Sequence, residues 1–97
     1  MLQLEKRHKA IVVMLLKEKL IEQRVFIFGL RSTNRSRKFS GLDICIEGDE
    51  ITYAEMAKLK DAFSESDLPH FVDVVQKSSI SESFYRLISK DFQELIL

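Results

Sequence analysis

The stretch "RVFIFG", residues 24–29, constrains the fold more than any other. Four consecutive apolar residues leave no polar face, so a strand made from them belongs at the centre of a sheet covered on both sides, and Gly29 stops it. Upstream, Leu4, Ile11, Val12, Leu15, Leu16 and Leu20 recur at three- and four-residue steps among Lys and Glu. That spacing predicts an amphipathic helix from Leu2 to about Gln23. A helix followed by a buried strand indicates an α/β layer.

The rest of the chain continues the alternation. "LRSTNRSRKFSG" carries too few apolar residues for a long element, although its first part can make a helical turn. "LDICIEG" reads as a second strand. Thr52 and Glu55 have capping-box spacing, and Met56, Leu59, Lys60 and Phe63 extend the helix they open to about Ser66. Pro69 separates this helix from "HFVDVVQ", a β-branched third strand. Ser79 and Glu82 repeat the capping spacing, so a closing helix is expected through Phe84, Leu87, Ile88, Phe92 and Leu95. The expected class is α/β, in the order α, β, short α, β, α, β, α.

A length of 97 residues with 45% hydrophobic content supports one modest core, so residues 1–97 are expected to form a single domain. Fifteen basic and fifteen acidic residues cancel. No broad positive field results, and no stable nucleic-acid binding is expected. Cys45 alone excludes an internal disulfide, and His8 and His70 are too isolated to supply a zinc pattern. A reducing cytoplasmic location is expected. The charged "EKRHK" is unlike a signal peptide, and "AIVVMLL" falls well short of the roughly 20 residues of a membrane span.

Strand alternation puts Leu42, Ile44 and Ile46 on one face, with Gly41, Asp43, Cys45 and Glu47 on the other. In the third strand Phe71, Asp73 and Val75 point one way while Val72 and Val74 point the other. Two acids therefore sit inside apolar strands. A carboxylate so placed faces solvent, has a basic partner or holds a cation, because burying it alone costs several kcal/mol. Between the two strands Arg31, Arg35, Arg37 and Lys38 crowd together, either as a solvated basic loop or as cations for a polyphosphate. Gly29 offers a place where backbone N–H groups can approach a phosphate. Cys45 is a small strand filler rather than a nucleophile.

"FGLR" (Phe28 to Arg31), "SGLDI" (Ser40 to Ile44) and "FVDVV" (Phe71 to Val75) resemble, in order and spacing, the motifs of the minimal nucleotidyltransferases of the DNA polymerase β superfamily. The resemblance extends through "LKDAFSESDLPHFVDVV" and "SESFYRLI", over nearly the whole chain. It implies a small mixed sheet flanked by helices. It also implies transfer of a nucleoside monophosphate from ATP or another nucleoside triphosphate to an acceptor, with magnesium held by carboxylates. By the same resemblance Asp43 and Asp73 are metal ligands, Asp73 also assists the acceptor's deprotonation, and Gly29, Leu30 and Arg31 form the nucleotide-binding turn.

Two positions depart from the motif. Gly41 stands where the first acid of the Asp-x-Asp pair is expected, and Leu30 where the phosphate-binding serine is expected. Glu47 lies four residues, about 13 Å, from Asp43 and cannot easily substitute. One magnesium ion can still bind, but a second loses its bridging ligand, and chemistry should slow by orders of magnitude. Small members of the family resemble antitoxins working beside a helical HEPN-type partner. The expected function is thus a degenerate nucleotidyltransferase acting mainly by binding that partner. The alternatives are an active magnesium-dependent transferase that modifies the partner, and, from outside the family, a nucleotide sensor. The first helix or the closing "FQELIL" is expected to provide an oligomeric or partner contact.

Overall fold

The computed structural model describes residues 4–29, 41–69 and 71–97. Its elements run α1 (Lys6–Lys19), β1 (Arg24–Phe28), β2 (Leu42–Glu47), α2 (Tyr53–Ser64), β3 (Val72–Gln76), a 3-10 turn (Lys77–Ser79), α3 (Glu82–Ser89) and β4 (Gln93–Leu95). The sheet order is β3-β2-β1-β4. β1 is antiparallel to both β2 and β4, whereas β2 and β3 are parallel, so the sheet is mixed. The all-apolar β1 takes an interior place, as its lack of a polar face requires. The short helix expected after Gly29 falls outside the described residues.

Each face of the sheet has its own cover. Val25, Ile27, Leu42, Ile44, Ile46 and Val74 project to one side, against Val12 and Leu16 of α1 and Leu59 and Phe63 of α2. Phe28 and Cys45 project to the other side, against Ile88 of α3, with Val75, Tyr85 and Phe92 packed around them. Burying each of these large side chains is worth about 1.5–3 kcal/mol, so the alternation in β1 and β2 decides which helix covers which face.

Local chemistry sets the helix ends. The Thr52 hydroxyl accepts from the Glu55 N–H at 3.1 Å while the Glu55 carboxylate accepts from the Thr52 N–H at 2.9 Å, completing the expected capping box at α2. At α3 the cap is Ser81, which accepts from the Phe84 N–H, rather than Ser79, whose place in the 3-10 turn sets the helix start two residues later. The Gln76 side chain bonds both the N–H and the C=O of Ile51, tying the segment before α2 to the end of β3.

The chain after Ser89 departs from expectation. Phe92 and Leu95 do not extend a helix, because Gln93–Leu95 pairs with Val25–Ile27 as an edge strand. Phe92 stacks on Phe26 with ring centroids 4.7 Å apart and meets Tyr85 edge to face at 5.7 Å. Arg24 clamps Glu94 across the pairing at 2.7 and 2.9 Å. A helical continuation would give up this aromatic stack and the bidentate pair. α1 is also shorter than its periodicity implied, ending at Lys19. Met14 is 53% exposed, so part of its apolar surface is left outside the core.

Candidate functional site

The site grows from the sheet register. Phe28 of β1 is the Cα partner of Asp43 in β2, and Asp43 is the partner of Asp73 in β3. Two acids far apart in sequence are thereby set side by side on adjacent parallel strands. Alternation gives them the same face, the one opposite α1 and α2.

Gly29 follows immediately, with φ +77°. A Cβ at this position would lie 2.5 Å from Asp43 Oδ2, closer than any real contact. The glycine serves two needs, a left-handed backbone and room for the carboxylate. Its Cα thus packs directly against the acid that it was expected to accompany.

Asp43 is half-buried, and its carboxyl is pushed above the ordinary range, first by loss of hydration and then by the Asp73 charge. Bringing a cation between the two acids would relieve both effects. Magnesium characteristically takes one or two carboxylates and completes its shell with phosphate oxygens and water, so the two acids suit one such ion. Among the described residues no group of three or more His, Cys, Asp or Glu side chains gathers to hold a metal.

Gly41 precedes β2 and is exposed. A Cβ there would stand 3.2 Å from the Phe71 carbonyl, which already accepts the Leu42 N–H at 2.8 Å. A larger residue at 41 therefore needs β3 to yield by a few tenths of an ångström. Glu47, at the far end of β2, accepts a hydrogen bond from the Tyr85 hydroxyl, and this bond pushes the Tyr85 pKa up to about 12. Its carboxylate fastens α3 to the sheet. Cys45 is fully buried, and burial pushes its thiol up to about 11, in line with a filler. Leu30, Arg31, Arg35, Arg37 and Lys38 lie outside the described residues.

Two features beside the acids were not singled out as functional from sequence. Phe71, on the face of Asp73, is 80% exposed, and a pocket of about 580 Å³ lined by Lys60, Phe63, Leu68, Phe71 and Asp73 opens next to it. Alternation already placed Phe71 beside Asp73. Its exposure was invisible because an aromatic next to a strand normally signals core.

No family model matches the chain. It is, however, 36% identical over 90 residues to the "Probable protein adenylyltransferase MntA" of Haemophilus influenzae, an alignment spanning 92% of this chain and 79% of that protein. The chain belongs to the minimal nucleotidyltransferase family. Solved structures share the fold. A toxin–antitoxin crystal structure with AMP-PNP superposes with a TM-score of 0.77 at 20% identity, covering 91% of this chain and 72% of the other. A tri-AMPylated Shewanella oneidensis HEPN toxin in complex with MNT antitoxin gives 0.70 at 19%, covering 91% and 68%. The mixed sheet flanked by helices is thus the family's fold. Among the described residues no helix is long and apolar enough to cross a membrane.

Proposed function

We propose that residues 1–97 form one nucleotidyltransferase-like unit that acts as the antitoxin of a two-gene module, docking on a HEPN-type helical partner. Its site would hold a nucleoside triphosphate, ATP by preference, with Asp43 and Asp73 as the residues that would hold one magnesium ion. The observation that carries this reading is the register pairing of those two acids beside the Gly29 turn, with Gly41 in place of a further carboxylate. The MntA relative's designation as a protein adenylyltransferase and the AMP-PNP of a fold neighbour support ATP as the nucleotide. Bound there, magnesium would neutralise phosphate charge and orient the triphosphate.

The chain's own groups would then contribute as follows. Gly29 lets the phosphates approach the backbone, and Leu30 and Arg31 follow it in the sequence as the next positions of the nucleotide-binding motif. Asp73, exposed at the site, accepts the proton of an acceptor hydroxyl. That oxygen bonds to the α-phosphorus, the α–β phosphoanhydride bond breaks and pyrophosphate leaves. Gly41 and Leu30 withhold a carboxylate and a hydroxyl from this arrangement, so partner binding is the main role and transfer is slow. The second reading is an active adenylyltransferase that modifies its partner, and it shares the nucleotide site that the Asp43–Asp73 pairing supports; what separates the two is the missing carboxylate at Gly41.

The test incubates the purified protein with magnesium, labelled ATP and the HEPN-type partner, beside a Gly41→Asp, Leu30→Ser variant. Transfer by the natural chain at least a hundredfold slower than by the variant is the expected result. Efficient transfer by the natural chain would overturn the binding role in favour of the enzyme. Absence of ATP binding by both proteins would overturn the nucleotide site itself.

A further inference from the structure

Gly29 after β1, Asp43 on β2 and Asp73 on β3 lie in that order across the sheet. The two ends of the row differ. At one end the Gly29 Cα packs against the Asp43 carboxylate and leaves room for phosphates. At the other, Asp73 is exposed and lines the pocket of about 580 Å³ together with Lys60, Asp61, Phe63, Leu68 and Phe71. The Phe71 carbonyl is held by the Leu42 N–H at 2.8 Å, which fixes this residue's backbone at the mouth of β3. Its ring, 80% exposed, stands two residues from Asp73 on the same side of the strand.

Phosphoryl-group chemistry gives this row a direction. The attacking and leaving oxygens stand roughly in line on opposite sides of the phosphorus. With the β- and γ-phosphates toward Gly29, pyrophosphate departs on that side, so the acceptor enters from the side of Asp73. The pocket beside Phe71 opens there. Among its described lining residues two carboxylates, Asp61 and Asp73, outnumber the one cation, Lys60, so it repels a second polyphosphate or a nucleic-acid backbone. Phe63, Leu68 and Phe71 instead offer apolar surface, which suits a hydroxyl carried on an apolar body.

We propose that this pocket is the acceptor subsite and that Phe71 is its positioning residue, holding the apolar body of the acceptor so that its hydroxyl meets Asp73. The inference rests on the transfer chemistry set out above. The hydroxyl proton passes to Asp73, the oxygen bonds to the α-phosphorus, and the electron pair of the broken α–β bond leaves with pyrophosphate. The ring of Phe71 touches none of these atoms. It limits where the acceptor oxygen can stand, and a small misplacement of that oxygen is costly to the rate.

The deciding measurement is transfer from labelled ATP to the HEPN-type partner in the Gly41→Asp, Leu30→Ser background, with ATP and partner varied separately. Phe71→Ala should lower kcat/KM for the partner roughly tenfold to a hundredfold while the KM for ATP stays within about twofold. Phe71→Tyr, which keeps the ring, should restore most of the loss. Tyr53→Ala removes an exposed ring that lines a different pocket and should change neither constant. An unchanged kcat/KM for the partner in Phe71→Ala, or a KM for ATP that rises by the same factor, overturns the subsite and leaves the transfer chemistry standing. Absence of transfer in that background overturns the chemistry and the inference with it. Fluorine NMR of the natural chain with para-fluorophenylalanine in place of Phe71 reads the same contact without turnover. The resonance should shift when the partner is added and stay in place with magnesium and ATP alone. A partner complex that leaves it unmoved, or a shift caused by ATP alone, overturns the inference.

Discussion

Replacing Gly29 by alanine tests the packing at the centre of the site. At φ +77° an L-residue costs about 1–2 kcal/mol. The new Cβ would also sit 2.5 Å from Asp43 Oδ2, so the carboxylate must leave its rotamer at a further cost of about 0.5–1.5 kcal/mol. The total, about 1.5–3.5 kcal/mol, should lower the melting temperature by roughly 6–28 °C for a chain of this length. Urea denaturation at constant m-value measures the loss, and a double-mutant cycle separates its parts. In an Asp43→Ala background the backbone cost remains and the collision disappears, so Gly29→Ala should cost about 1 kcal/mol less there. Equal losses in both backgrounds would refute the steric contact between Gly29 and Asp43. A loss below about 0.5 kcal/mol in the natural background would refute the strain as well.

Two further outcomes follow from the charges. Asp43 is held above its ordinary value of 3.8, so the folded state binds its proton more tightly than the unfolded state. Stability should therefore fall as the pH rises from 3.8 through the elevated folded value. Asp43→Asn should raise the urea midpoint at pH 7 and flatten that dependence, while magnesium should raise the midpoint of the natural chain and not of the variant; a lower midpoint for Asp43→Asn would contradict this. Cys45, fully buried with its thiol pushed up to about 11, should react with a disulfide reagent at pH 8 at least a thousandfold more slowly than in denaturant. Stoichiometric reaction of the folded chain within seconds would sink that assignment.

How far the sequence revealed this arrangement depends on the range of the interactions involved. Strands β1 to β3 and the α2 capping box are legible because an unbroken apolar run, β-branched runs and a four-residue cap are local signals. Asp43 and Asp73 could be named as strand acids on one face, but their exact juxtaposition needed the parallel register of β2 and β3. Phe84, Leu87, Ile88, Phe92 and Leu95 keep a helical spacing, so the sequence alone predicts helix where β4 forms. The stack of Phe92 on Phe26 and the Arg24–Glu94 clamp outweigh that local preference. The Ser79 cap failed for a similar reason, since Ser81 offers the same chemistry two residues later. The tightness at Gly41 comes from the Phe71 carbonyl, a backbone atom that no residue pattern encodes.

The β1–β4 pairing divides the sheet by the length of chain that each half must close. Phe28 and Asp43 are 15 positions apart and Asp43 and Asp73 are 30 apart, whereas Arg24 and Glu94 are separated by 70. Loop-closure entropy makes the longest of these connections about 1.4 kcal/mol costlier than the shortest. The three strands that hold Phe28, Asp43 and Asp73 can therefore assemble before β4 arrives. Fraying of the C-terminal strand would uncover Phe26 and Phe92 while leaving the paired acids in register, so the site and the closing edge of the sheet open on separate clocks.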